Sequence, residues 1–442
     1  MFESEFKLPP DQKATLVSIV CDKFDGYRNE AETLNSLQEL RELLKTLGVQ
    51  SSKEYYQKKN SLEAGTVLGK GKLLEIADLA KEEGSKLLVF DFELTASQAR
   101  NIKKLTELEV LDRNTVILEI FAKHAQTKDA KIQIEISRLN YLLPRLSSLW
   151  THFHRQKGGI GVRGGEGEQQ LEMDKRIIRE RISSLKKQLK QINTSRLEQK
   201  KKRQDKAIKV ALVGYTNAGK SSLMNALCKV SIKSEDKLFA TLDSTYRTIT
   251  PDTKPPMILI DTVGFISNLP ASLIEGFKTT LESAKEADLL IIVCDVSNDN
   301  YDKHLKVTND ILEELHLSQK DQLIVFNKKD LLSNKAQGII ALRKYPNSFL
   351  ISSLDELDVV KLRNHVINYF LKKQTVFDLF IPYSDGDAHS KILGQTNVIQ
   401  TVNHDNGIFY RVRVPNFLFA PLNLNKFVLG PEESNKYLEA LD

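Results

Sequence analysis

Two periods of apolar and polar positions take turns along the first part of the chain. Ala14 to Cys21 is an apolar run, and Glu30 to Leu47 places Leu34, Leu37, Leu40, Leu43, Leu44 and Leu47 at helical spacing. Val49 to Tyr56 reads as a strand, Gly71 to Glu83 as a helix bounded by glycines, and Lys86 to Phe92 as a strand. Thr95 caps a helix to Thr106, and Glu109 to Asp112 forms a short strand. This alternation predicts a parallel sheet with helices packed on it. Next comes a longer helical pattern, Lys131 to Leu149, with Pro144 as a kink, and a second from Glu168 to about Arg203 with Leu171, Ile178, Ile182, Leu185, Leu189 and Ile192 on one face. A glycine-rich stretch, Gly158 to Gly167, separates them, so an antiparallel helical hairpin is expected. Its tip would carry Arg155, Lys157 and Arg163 beside Trp150 and Phe153: groups that suit unpaired RNA, or an ordinary interdomain hinge with the aromatics packed inside.

The pattern changes again at Val210 to Val213, a buried strand that runs into Gly214, Tyr215, Thr216, Asn217, Ala218, Gly219, Lys220 and Ser221 before a helix opens at Ser222. The spacing is that of a phosphate-binding loop, whose backbone N–H groups and helix N-terminus favour anions. Lys220 would reach the β- and γ-phosphates and Ser221 would ligate Mg²⁺. A second strand, Pro256 to Ile260, ends in Asp261, Thr262, Val263 and Gly264. There a carboxylate can hold Mg²⁺ through water, and a glycine N–H can approach the γ-phosphate. A third, Gln322 to Phe326, delivers Asn327, Lys328, Lys329 and Asp330. Guanine offers two adjacent donors that one carboxylate accepts, and adenine does not, so Asp330 selects GTP while Lys328 packs along the base. Ser352, Ser353 and Leu354, after the strand Phe349 to Ile351, can offer N–H to the guanine oxygen. Four such pieces in order, each on a strand end, predict a GTP-binding module. By contrast, Leu68 to Lys72 resembles a phosphate loop but has no strand-borne acid after it, and reads as a capped turn with surface lysines.

Beyond Leu357 to Lys373, a closing helix, the period returns to two. Phe377 to Ile381, Asn397 to Thr401 and Ile408 to Val414 alternate like half-exposed strands, with a hairpin turn at His404 to Gly407. The expected fold class is α/β and multidomain. It comprises an α/β N-terminal domain (1–130), a long antiparallel helical hairpin with a basic tip (131–205), a P-loop GTPase domain (206–374) and a small α/β C-terminal domain (375–442).

Composition narrows the setting. The three cysteines, Cys21, Cys228 and Cys294, sit in apolar patterns and read as reduced packing residues of a cytoplasmic protein. No apolar run is long enough to span a bilayer, and the first ten residues lack the apolar core of a signal peptide. A formal net charge of +6 conceals an asymmetry: Lys175 to Lys209 holds 14 Lys or Arg against three acids, a local excess of +11. That concentration favours contact with a polyanion over a merely solvated helix face.

Several stretches resemble the HflX family of translational GTPases, in the Obg–HflX branch of the P-loop GTPases. They are Gly69 to Lys72, Val110 to Arg113, Tyr141 to Leu146, Gly158 to Gly161, Gln170 to Glu172, Gly214 to Ser221, Phe239 to Asp243 and Asp261 to Phe265. The resemblance implies a cytoplasmic, monomeric GTPase that binds GTP and GDP and docks on the large ribosomal subunit and its rRNA, splitting or rescuing stalled ribosomes under stress. A GTP-gated RNA-binding assembly factor is the other reading. It also implies that Phe239, Ala240, Thr241, Leu242 and Asp243 form the first switch, with Thr241 closing on Mg²⁺; on chemistry alone Thr245 and Thr248 rival it. Lys220, Thr241 and Gly264 would then be the residues closest to the reaction. Two positions depart from the family pattern: Val162 to Glu168 lacks its proline, and Ser244 stands where proline is usual. Phe265 follows Gly264 where many GTPases place a water-orienting glutamine, so intrinsic turnover should be slow and a partner should complete the site. Asn217 sits where potassium-activated GTPases carry a loop asparagine; K⁺ binding and plain loop packing both fit it.

Overall fold

The computed structural model describes residues 12–24, 27, 29–146, 165–202, 207–229, 238–239, 245–249, 253–267 and 284–438. Arg155, Lys157 and Arg163, with Trp150 and Phe153, lie outside the described residues, as do Ala240, Thr241, Leu242 and Asp243 of the expected switch.

The first region alternates strand and helix as the pattern predicts: β1 (Lys13–Val20), α1 (Glu30–Leu47), β2 (Gln50–Lys58), α2 (Lys70–Glu82), β3 (Leu87–Phe90), α3 (Ala96–Thr106) and β4 (Glu109–Asp112). The strands pair in parallel in the order β2-β1-β3-β4. Local chemistry sets the helix starts. Asn29 accepts the Glu32 N–H, and Thr95 and Gln98 form a reciprocal capping box. Gly69 precedes α2 with its N–H given to Gln57 Oε1 (3.0 Å), and Lys72 pairs with Glu75 (2.7 Å), so the Leu68–Lys72 stretch is a helix start with surface lysines.

The helix α4 (Arg113–His124) was not legible in the pattern. Arg113 to Leu118, Ile120 and Phe121 are all buried, so it has no polar face to give a period of 3.6. Next, α5 (Lys128–Leu142) starts three residues before the expected helix, at the Thr127 cap. It stops at a 3-10 turn, Leu143–Arg145, because Pro144 has no N–H to continue the ladder. Ile132, Ile136, Leu139 and Leu146 pack on Ile178, Ile182 and Leu185 of α6 (Gly165–Lys202), and Arg181 pairs with Glu135 (2.8 Å) across the two helices. The helical pair forms as expected, and Arg179, Lys186, Lys187 and Lys190 of its basic stretch are exposed.

The central sheet is built from β5 (Ile208–Gly214), which leads into α7 (Lys220–Leu227), β6 (Thr245–Thr248), β7 (Met257–Asp261) and β8 (Leu289–Asp295). After α8 (Tyr301–Glu314) come β9 (Gln322–Asn327), α9 (Lys335–Lys344), β10 (Phe349–Leu350) and α10 (Glu356–Lys372). Its order is β10-β9-β8-β5-β7-β6, parallel except for the edge strand β6, a four-residue element too short to declare itself in the sequence. One continuous apolar core joins this sheet to the first, and includes a T-shaped contact of Phe121 with Phe239 (4.5 Å between centroids).

The chain ends in an antiparallel sheet, β11-β13-β12, made of β11 (Thr375–Pro382), β12 (Asn397–His404) and β13 (Gly407–Val414). Helices α11 (Gly386–Gln395), α12 (Asn416–Leu422) and α13 (Pro431–Leu438) accompany it. His404 pairs with Gly407 across the expected two-residue turn. No helix among the described residues is long and apolar enough to cross a membrane, and Cys21, Cys228 and Cys294 are buried free thiols.

Candidate active site

All four predicted pieces fall at the C-terminal ends of parallel strands β5, β7, β9 and β10, where a doubly wound sheet places its ligands. At β5 the chain turns through Gly214 and Gly219, both at positive φ. A side chain at Gly214 would strike the Val293 carbonyl, and one at Gly219 the Asn327 amide, so only glycine fits either place. Lys220 opens α7 and is buried; its Nζ donates to the carbonyls of Gly214 (3.2 Å) and Tyr215 (2.8 Å). Burial pushes this amine down to about 8 against the opposing pull of Asp261, so it remains largely protonated at neutral pH and fit to meet phosphate. Ser221 Oγ donates to Asp261 Oδ2 (2.6 Å). A hydroxyl and a carboxylate are thereby side by side at the end of the loop: hard oxygen donors of the kind Mg²⁺ takes.

Thr262 Oγ1 donates to the Leu212 carbonyl (2.7 Å), tying β7 to β5, and Val263 is buried beyond it. Gly264 lies so close to the loop that a Cβ there would sit 2.8 Å from Thr216 Cα and 3.0 Å from Lys220 Nζ. Phe265 then zips to the loop: its N–H donates to Gly214 O (3.0 Å) and its carbonyl accepts from Thr216 N–H (2.7 Å). That second bond takes the Thr216 N–H out of the set that can turn toward a ligand. Asn217 is exposed at a φ of 56°, and Ala218 is buried. Of the two rivals to Thr241, Thr245 faces Asp261 in the β6–β7 register, whereas Thr248 pairs with Ile258 farther along the strand.

At the base end, Asn327 is fully buried and holds two segments together. Its Nδ2 donates to Ala218 O (3.0 Å) and its Oδ1 accepts from Ser353 N–H (2.9 Å). Lys328 Nζ is anchored on Asp295 (2.9 Å), and Lys329 pairs with Asp355 (3.3 Å) and Asp358. Asp330 is exposed in a 3-10 turn, Lys329–Leu331. The three residues expected to face the guanine oxygen are not equivalent. Ser352 N–H is given to Asp358 (2.8 Å) and Ser353 N–H to Asn327, while Leu354 N–H has only a longer contact with Ser352 Oγ (3.2 Å). Leu354, 83% exposed, is the one placed to turn its N–H to a ligand.

Sequence reasoning missed what lies behind the loop. The Tyr215 hydroxyl donates to Glu39 of α1, accepts Ser267 N–H (2.6 Å) and lies 2.6 Å from Ser267 Oγ. Its ring stacks on His304 (3.8 Å, 7°). Glu39 in turn pairs with Arg113, which is 1% exposed and also binds Asp91 (2.7 Å) and reaches Ser267 O (3.4 Å). Burial and the Glu39 carboxylate hold the Tyr215 phenol well above its usual range, so it stays a donor. Here one cation serves two carboxylates. Burial pushes Asp91 up to about 6 against the pull of Arg113. Only the match at Val110 to Arg113 hinted at this arginine. A cavity of about 680 Å³ opens beside the network, lined in part by Glu39, Tyr215, Thr216, Asn300 and His304. Among the described residues no group of three or more His, Cys, Asp or Glu could hold a metal.

Residues 34–122 match the family described as GTP-binding GTPase N-terminal, 124–203 the GTP-binding GTPase Middle Region, and 209–328 the 50S ribosome-binding GTPase. The chain is 44% identical over 350 residues to the GTPase HflX of Flavobacterium psychrophilum, covering 77% of this chain and 83% of that one. It is 36% identical to the GTPase HflX of Gluconacetobacter diazotrophicus, covering 92% and 96%. Among solved structures it is similar to a GTP-binding protein from Sulfolobus solfataricus in complex with GDP, at 26% identity and a TM-score of 0.43, over 81% of this chain and 98% of that chain. The chain belongs to the HflX family of GTPases and hydrolyses GTP.

Proposed function

We propose that this GTPase works in the cytoplasm as a monomer on the large ribosomal subunit, splitting or rescuing stalled ribosomes, with GTP closing the switches and shifting the first α/β region. The observation that carries the reading is the wiring of the phosphate loop and Ser267 to Glu39 and Arg113. Any movement of Ser267 on γ-phosphate binding must break or remake contacts to α1 and α4, which gives GTP a differential interaction with two arrangements. The match of 209–328 to a 50S ribosome-binding GTPase and the exposed cations of α6 support the partner.

In this reading the unit borders fall at 130/131, 205/206 and 374/375. Lys220 and the loop from Gly214 hold the phosphates, and Asp330 with Leu354 reads guanine. Ser221 and Thr241, with Asp261 through water, hold Mg²⁺, which supplies charge neutralisation at the phosphates when bound. Asn217 is where K⁺ would add to it, and Arg155, Lys157 and Arg163 would touch rRNA. The test is GTP hydrolysis by the purified chain with and without large ribosomal subunits in K⁺ or Na⁺ buffer, followed by light scattering of intact ribosomes. A large stimulation with GTP-dependent dissociation is expected. Binding to immature particles without dissociation would favour the assembly reading, and equal rates in the two salts would remove K⁺.

A further inference from the structure

Where many GTPases carry a glutamine beside the γ-phosphate, this chain has Phe265, which turns into the apolar core and is 4% exposed. A Cβ built on Gly264 would meet Thr216 Cγ2 at 2.9 Å and Lys220 Nζ at 3.0 Å, so Thr216 and the lysine amine both crowd the Gly264 backbone. Thr216 is 6% exposed, borders the 680 Å³ cavity, and its Oγ1 has no hydrogen-bond partner among the described residues. A buried hydroxyl left unpaired is destabilising, and one kept at a reaction site points to a ligand that completes it. Its backbone is fixed by the N–H bond to Phe265 O (2.7 Å), so the hydroxyl is presented from a rigid support.

We propose that Thr216 is a catalytic residue: its hydroxyl donates to a γ-phosphate oxygen and accepts a hydrogen from the attacking water, taking over the orienting task that Phe265 cannot perform. A hydroxyl has the one donor and two lone pairs this bridge needs. The water oxygen bonds to the γ-phosphorus, the bond to the β–γ bridging oxygen breaks with its electron pair leaving on GDP, and the water's proton ends on the phosphate released. Thr216 holds the geometry and exchanges no net proton. The role rests on the assignment of Gly214 to Ser221 as the phosphate loop.

The test is the rate of hydrolysis at saturating GTP by the full chain, beside the affinities for GDP and a non-hydrolysable GTP analogue. Thr216→Val keeps the shape and removes the hydroxyl, Thr216→Ala removes it with more room, and Thr216→Ser restores it. The expected result is a loss of about tenfold to a hundredfold for Val and Ala, with both affinities within about twofold and Ser close to the parent rate. An unchanged rate in Val and Ala overturns the proposal. So does a loss that disappears at saturating GTP because only analogue affinity fell, or a Ser variant as slow as Val. Undiminished hydrolysis by Lys220→Ala would remove the loop assignment and the proposal with it.

Discussion

The two ends of the nucleotide site are built on different plans. At the base end, contacts run between segments of the central sheet: Asn327 holds Ala218 and Ser353, Lys329 is held by Asp355 and Asp358, and Ser352 N–H by Asp358. No residue of the first sheet takes part in those bonds. At the phosphate end, Tyr215 and Ser267 are bonded to Glu39 and Arg113, which come from α1 and α4, and Phe239 packs on Phe121. A recognition surface gains from staying the same with or without ligand, because prior order lowers the cost of binding. A switch gains from contacts that one ligand state can break. With the nucleotide seated as proposed, specificity would sit on a self-contained frame, and the phosphate-sensing part would be shared with a second sheet.

The separation breaks most visibly at Asp330. Asp330→Asn should lower GTP affinity by about a thousandfold or more, because guanine's paired donors lose their acceptor. It should admit xanthosine triphosphate, whose carbonyl accepts the new amide, and leave the thermal midpoint unmoved. Isothermal titration with both nucleotides checks this, and a loss of stability alongside would show that the base end is not self-contained. Next in size is Arg113→Met, which strands Asp91 and Glu39 without their cation and should cost about 3–5 kcal/mol in denaturant unfolding. A change confined to nucleotide affinity, with stability intact, would contradict the buried triad.

The triad also predicts a pH effect. Asp91 has its folded value raised from 3.8 to about 6 by burial. The native state therefore binds this proton more tightly than the unfolded chain. The resulting stabilisation is complete below the unfolded value and is lost as pH rises through about 6. Between pH 7 and pH 5 the parent should gain stability, on the order of 1 kcal/mol, relative to Asp91→Asn, read from denaturation midpoints across that range. The smallest expected effect is that of Tyr215→Phe. It keeps the ring on His304 and drops the bonds to Glu39 and Ser267, at about 1 kcal/mol of stability. Its sharper readout is the ratio of GTP-analogue to GDP affinity, which should shift here and stay constant in a base-end variant such as Lys329→Met.

Much of this is legible in the sequence. A run such as Val210 to Val213 followed by Gly214 and Lys220 encodes strand, turn and helix within a few residues, because period, glycine freedom and helix start are local properties. The same holds for Asp261 to Gly264 and Asn327 to Asp330. Legibility failed where burial erased the period, as in α4, or where an element was a short edge strand, as in β6. It failed in a different way at Ser352 and Ser353, whose N–H groups are claimed by Asp358 and Asn327.

The sequence by itself pointed to GTPase chemistry, made Asp330 the expected reader of guanine and shows Phe265 where a glutamine is usual. Only the tertiary structure decided that Tyr215, 176 residues from Glu39 along the chain, would hand its hydroxyl to it, and that Thr216, whose hydroxyl has no partner among the described residues, would pack beside Gly264. Hydrophobic periodicity reports which face of an element is buried, not what it is buried against. The partners of a buried charge or hydroxyl are fixed by how two sheets pack, and no local signal carries that.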